Sequence, residues 1–171
     1  MQHSYDTCQG FRQAALLQLG KSGGVIKGIG TMKPVLRYQI MPSFGASAAY
    51  FLSERKEPLN GFRFYGIKAT WRSDLDFARL NPIMWPPTIE LLWVKIHDDF
   101  AKQLDEKISG IAVKVRVADC LQLDGTGYEL AYGVDRASFK WGEQAPPEWT
   151  ELAGVGKTLA SHIDELLQIL C

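Results

Sequence analysis

Apolar and polar residues alternate with the period of a β-strand in several segments of the chain. Ile111 to Ala118 is the clearest case, since Ile or Val occupies every second position. Shorter strands are predicted at Val35 to Met41 and Ala48 to Ser53, with turn residues between them. Tyr128 to Tyr132 and Ala137 to Trp141 follow later in the chain. With Ile111 to Ala118 they predict a three-stranded antiparallel meander.

Phe62 to Arg72 is a further predicted strand, and its apolar phase changes part-way. Apolar side chains occupy even positions up to Phe64 and odd positions from Ile67 onward, with Gly66 at the change. One extra residue in a strand shifts the register and restores the inward face. The pattern therefore predicts a β-bulge at Gly66.

Three segments have the apolar spacing of an amphipathic helix. Thr88 to Ile108 is the strongest, with an apolar residue at every fourth position from Leu92 onward, and it predicts one long central helix. Thr7 to Leu19 predicts a short N-terminal helix, and Gly156 to Leu170 predicts a C-terminal helix.

The order of elements predicts a single α+β domain over residues 1–171. Its mainly antiparallel sheet would have about five to six strands, with the helices packed on one side.

The composition is that of an ordinary globular domain. Of 171 residues, 46% are hydrophobic, 22% charged and 11% aromatic, which suffices for one hydrophobic core. Lys plus Arg and Asp plus Glu both number 19, so no global field attracts nucleic acid or an anionic membrane. The chain contains no apolar run of membrane-spanning length and its start does not resemble a secretory signal. We therefore expect a cytoplasmic protein that does not associate with membranes.

The residue types that most often bind metals or act as nucleophiles are scattered along the chain. The cysteines are far apart and outside any Cys-x-x-Cys spacing, which predicts reduced thiols: Cys8, Cys120 and Cys171. The histidines have no second ligand at metal-binding spacing: His3, His97 and His162. We expect no metal and no cofactor. An enzyme whose catalytic residues meet only in the fold stays open as an alternative.

Gly154 to Thr158 reads Gly-Val-Gly-Lys-Thr and contains the Gly-Lys-Thr ending of a phosphate-binding P-loop. The first glycine of that motif should lie five positions before Gly156, where this chain has Glu151. A carboxylate there would repel phosphate, and no buried strand precedes the segment. The sequence excludes a nucleotide-binding loop.

Leu152 to Gly156, followed by Ala160, Ile163 and Leu166, resembles the helix-hairpin-helix element of DNA repair and polymerase proteins. The resemblance implies contacts to the phosphate backbone without base readout. The residues that would make these contacts are Gly154, Gly156, Lys157 and Thr158. The alternative, which we favour, is a glycine-containing turn that leads into an amphipathic C-terminal helix.

Five tryptophans are the least ordinary feature of the composition. Trp71, Trp93 and Trp141 occupy apolar phases and are predicted in the core. Trp85 and Trp149 lie next to prolines and are predicted in an exposed patch that binds another protein, because aromatic rings are enriched at binding hot spots.

The segment from Leu123 to Leu170 resembles the C-terminal part of small bacterial domains, some of which are similar to immunity proteins of toxin systems. The resemblance implies a protein partner and assigns no site residues. The leading hypothesis is a non-enzymatic protein-binding domain, including the case of an immunity-type inhibitor. A nucleic-acid-binding accessory domain is the second hypothesis, and an enzyme the third.

Overall fold

The computed structural model describes residues 2–43, 45–57, 61–79, 85–112, 125–133 and 137–170. Its helices are α1 (Gln2–Leu19), α2 (Ser73–Phe77), α3 (Asp98–Ser109) and α4 (Thr150–Leu170). Its strands are β1 (Val25–Ile26), β2 (Gly30–Thr31), β3 (Lys33–Pro42), β4 (Ala48–Glu57), β5 (Gly61–Trp71), β6 (Ile89–Ile96), β7 (Thr126–Tyr132) and β8 (Ala137–Trp141). Strands β3 to β8 form one antiparallel sheet in the order β6-β5-β4-β3-β7-β8, and β1 pairs with β2. The predicted α+β class is confirmed.

Helices cover both faces of the large sheet, so the prediction of helices on one side is wrong. On one face, α3 and α4 pack against a core that includes Leu52 and Leu130. On the other face, Leu19 of α1 joins Phe51 and Ile67 in a second cluster. Residues 49–53 of β4 are all buried as a result. A central strand covered on both faces is apolar at consecutive positions, which hides the alternation expected of a one-sided sheet.

Gly66 does not mark a bulge, and that prediction is wrong. Strand β5 pairs with β4 and with β6 in one unbroken register on each side. A Cβ atom at Gly66 would lie 2.7 Å from Cγ1 of Ile163 in α4 and 2.9 Å from Cδ1 of Ile96. The glycine therefore makes room for α4, and the change of apolar phase reflects a strand that is buried on both faces. The register shift of the sheet lies instead between Pro34 and Leu36 in β3.

The helix predicted from Thr88 to Ile108 is wrong in its first half. Residues Ile89–Ile96 form strand β6, which pairs with β5 along its whole length. The helix begins only at Asp98, after His97, whose Nδ1 accepts the Asp99 backbone N–H at 3.3 Å. Spacing of four residues is compatible with a helix and, because four is even, with one face of a strand. In this chain, residues 89–96 form a strand and not a helix because they pair with β5.

Strands β7 and β8 confirm the predicted strands at Tyr128 to Tyr132 and Ala137 to Trp141. The neighbour of β7 on its other side is β3, so the predicted meander is wrong in its strand order. The strand predicted at Ile111 to Ala118 lies outside the described residues from position 113 onward, as do Cys120 and Cys171.

None of the described helices combines the length and the apolar character needed to cross a membrane.

Candidate functional site

Exposed apolar side chains are concentrated in one stretch of the chain. Among the described residues, ten large hydrophobic side chains are exposed, and six of them lie between positions 75 and 93: Leu75, Phe77, Trp85, Leu91, Leu92 and Trp93. The remaining four are Leu17, Val25, Ile169 and Leu170. Contiguous exposed apolar surface on a folded domain marks an interaction site more often than isolated apolar residues do.

Strand β6 lies at the edge of the sheet, among the described residues, and carries three of these side chains, Leu91, Leu92 and Trp93. Its only strand neighbour among the described residues is β5, and no other described strand pairs with its outer edge. Leu91 and Trp93 point to the α1 face, where the Trp93 ring contacts the Tyr65 ring edge-to-face at 6.1 Å. Leu92 points to the opposite face, beside Leu167 of α4. Exposed, apolar edge strands are templates for pairing with another chain. We call β6, together with Trp85, which precedes it by four residues, the β6 edge surface.

A buried carboxylate holds the start of β6 in place. Asp76 of α2 is fully buried and accepts hydrogen bonds from the Trp71 indole N–H at 2.8 Å and from the Thr88 backbone N–H at 2.9 Å. It also accepts the Thr88 hydroxyl at 2.6 Å and pairs with Arg79 at 3.2 Å. Burial alone raises the pKa of Asp76, but the hydrogen bonds from Thr88 and Trp71 and the charge of Arg79 outweigh it and lower the pKa. Asp76 therefore links α2 to the end of β5 and to the residue that precedes β6.

The two tryptophans predicted to be exposed differ in the structure. Trp85 is 61% exposed and adjoins β6, whereas Trp149 is only 7% exposed. The turn Pro147–Trp149 leads directly into α4 and places the Trp149 ring edge-to-face on Phe139 at 5.6 Å. The prediction of an exposed Trp149 is therefore wrong.

The three tryptophans predicted in the core also differ in their exposure. Trp71 and Trp141 are buried as predicted. Trp93 is 40% exposed, so its assignment to the core is wrong. The sequence signal that was missed is the run Leu91 to Val94, four consecutive apolar residues between Glu90 and Lys95. Such a run is typical of a strand whose two faces are both apolar.

The segment Gly154 to Thr158 lies inside α4, which is continuous from Thr150, so the predicted turn is wrong. Gly156 is buried against the Tyr38 ring, and the Lys157 and Thr158 side chains are exposed. The Thr158 hydroxyl donates to the Gly154 carbonyl at 2.9 Å within the helix. The backbone amides of the helix interior bond to carbonyls one turn earlier, so these residues lack the free amides of a helix start.

An open cleft brings two of the three histidines to one region. Its lining includes His97, Asp98 and His162, together with the cations Arg63 and Lys95. The His97 ring caps α3, and the His162 ring stacks on Phe100 at 3.8 Å. Within the described parts of the chain, no three His, Cys, Asp or Glu side chains are grouped closely enough to hold a metal ion.

A second polar cluster joins three strands on the α1 face. Arg37 of β3 forms an ion pair with Glu129 of β7 and donates to the Gly20 carbonyl at 2.9 Å. Lys140 of β8 lies 3.4 Å from the other oxygen of the Glu129 carboxylate. Because the carboxylate lies between both cations, the cluster ties these strands to each other and to the end of α1.

Comparison with protein-family models, with curated protein sequences and with solved structures gives no match to this chain.

Proposed function

We propose that this domain binds another protein through the β6 edge surface. The observation that carries the proposal is the edge strand itself, which exposes Leu91, Leu92 and Trp93 in succession and has one unpaired backbone edge among the described residues. A partner segment in extended conformation would add a strand to the sheet. Main-chain hydrogen bonds between β6 and the added strand would supply affinity. Contacts of the side chains of the two strands would supply specificity.

The composition of the surface supports this proposal. Trp85 and Trp93 are large, rigid rings of the kind that dominate binding energies at protein interfaces. The ion pairs at the rim of the surface join Arg72 to Asp74 at 2.9 Å and to Glu90 at 3.4 Å. An apolar centre with a charged rim is the usual anatomy of an interface. An immunity-type inhibitor whose partner is a toxin is one case that such a surface would serve.

Photo-crosslinking in the producing cells tests the proposal. A photoreactive amino acid replaces Trp93 in one variant and Leu17, an exposed apolar residue on α1, in the control. We expect a discrete protein adduct at position 93 and none at position 17. Equal crosslinking at both positions, or none at position 93, would contradict the proposal.

The identified partner is then purified and its affinity measured by calorimetry. Leu91→Lys places a charge in the centre of the surface and should weaken binding about tenfold or more, because a buried unpaired charge is costly. Leu17→Lys is the matched substitution outside the surface and should leave the affinity unchanged. If both variants bind like the wild type, β6 is not the binding strand.

A further inference from the structure

We infer that the strand that pairs with β6 is β6 of a second copy of this chain. This inference rests on the proposed function and specifies its partner. The two copies would be related by a two-fold axis that passes beside Leu92, perpendicular to the sheet. Two six-stranded sheets would then join into one continuous antiparallel sheet.

The geometry of antiparallel pairing restricts the registers that are available. A two-fold axis perpendicular to the sheet keeps each side chain on its own face, so residues directly opposite each other must have the same parity. With the axis at Leu92, the two Leu92 side chains meet on the α4 face. On the α1 face, Leu91 of each copy lies opposite Trp93 of the other. Every exposed apolar side chain of β6 thereby gains an apolar partner.

Each of the two neighbouring registers places one of the exposed apolar side chains of β6 opposite a charged residue. An axis at Leu91 would place Glu90 opposite Leu92, and an axis at Trp93 would place Leu91 opposite Lys95. The Leu92 register instead places Glu90 and Lys95 at the ends of the paired strands. Glu90 then faces Val94, Lys95 faces Ile89, and no two like charges are directly opposite. Like charges directly opposite one another destabilise a strand pair.

The size of the contact predicts a dimer that depends on concentration. A stable protein interface typically buries about 800 Å² on each partner. A pair of eight-residue strands covers less than this, although Trp85 adjoins the start of β6 and can extend the contact. We expect a dissociation constant in roughly the micromolar range.

Disulfide trapping tests the register. In a variant with Cys8, Cys120 and Cys171 replaced by Ser, Leu92→Cys brings two thiols together across the axis. Opposed Cα atoms in an antiparallel pair are about 4.5–5.5 Å apart, within the range that a disulfide spans. Glu90→Cys is the matched control, because its two copies would be roughly 13 Å apart in this register. We expect a crosslinked dimer for Leu92→Cys and none for Glu90→Cys. Equal crosslinking of the two variants, or crosslinking only of Glu90→Cys, overturns the inference.

Molar mass measured by light scattering as a function of concentration tests the association itself. The wild type should move from monomer towards twice the monomer mass. Leu92→Lys places two like charges beside the axis and should raise the dissociation constant at least about tenfold. Leu17→Lys should behave like the wild type, and circular dichroism checks that both variants are folded. A wild type that stays monomeric overturns the inference, as does a Leu92→Lys variant that still dimerises.

The two proposals fail in different ways. If Trp93 crosslinks to a different protein while the purified chain is monomeric, the β6 edge surface binds a partner but not a second copy. If position 93 gives no adduct in cells and the chain is monomeric in solution, both proposals fail.

Discussion

Gly154 and Gly156 of α4 provide a pair of substitutions that tests how the helix meets the sheet. They lie two residues apart, so their Cα hydrogens point to different sides of the helix. An added Cβ at Gly156 would come within 2.7 Å of Cε2 and Cγ of Tyr38 and closer still to Cδ2. At Gly154 no atom lies within 4 Å of the added Cβ. Gly156→Ala therefore overpacks the interface with β3, whereas Gly154→Ala does not.

The expected magnitudes follow from the surroundings of the two positions. Replacing a helix-interior Gly by Ala stabilises a helix by about 1 kcal/mol, and this gain is common to both variants. Overpacking a well-packed core costs about 1–3 kcal/mol. The Tyr38 ring is 1% exposed and stacks on Tyr128 and Trp141 at centroid distances of 6.1 and 6.3 Å, so it has little room to move. We expect Gly156→Ala to be less stable than Gly154→Ala by about 1–3 kcal/mol.

Urea unfolding, followed by tryptophan fluorescence and far-ultraviolet circular dichroism, measures this difference. Only Gly154→Ala should be more stable than the wild type. In a thermal scan, each kcal/mol should change the melting temperature by roughly 2–4 °C for a chain of this size. If both alanine variants lose similar stability, the glycines are required by a turn, and the continuous α4 helix is refuted.

The remaining predictions concern the support of β6 and the two tryptophans beside prolines. Asp76→Asn should be less stable than the wild type above about pH 5 and should vary less with pH. The lowered pKa of Asp76 stabilises the fold above its unfolded-state pKa near 3.9, and this contribution is lost as the pH falls through the folded-state pKa. Urea titrations between about pH 3 and 6 test this, and parallel pH profiles of the two proteins would contradict it. Trp149→Ala should cost about 3–5 kcal/mol, because the ring is buried, whereas Trp85→Ala should stay within about 0.5 kcal/mol. Equal losses for the two variants in the same assay would refute the assigned burial.

The misassigned half of the central helix shows where sequence patterns are ambiguous. Leu92 and Ile96 are four residues apart, which is consistent with one face of a helix and with one face of a strand. From Asp98 onward, Ala101, Leu104 and Ile108 are buried at the helical spacing, and there the prediction is correct. Residues 89–96 have the same kind of spacing, but they form an edge strand because they pair with β5. The information that decides this lies in another segment of the chain.

The candidate site was predicted only in part, for the same reason. Trp85 could be recognised because prolines on either side in the sequence keep it out of regular structure. For Leu92 and Trp93 the periodicity instead predicts the apolar face of an amphipathic helix and a place in the core, because apolar residues are buried by default. Their exposure depends on the position of β6 at the edge of the sheet, which no local pattern encodes.

Local patterns in the sequence are enough to predict the α+β class, the N-terminal and C-terminal helices and the strands at β3, β4, β5, β7 and β8. Each of these depends on the periodicity of the residues within it and on the turn residues beside it. The order of the strands, the covering of both sheet faces and the burial of Trp149 depend on the tertiary structure. The close contacts of Gly66 with Ile163 of α4, and of Gly156 in α4 with Tyr38 of β3, depend on it as well. These features arise from contacts between segments that are distant in the chain, and a local pattern does not specify which segments will be in contact.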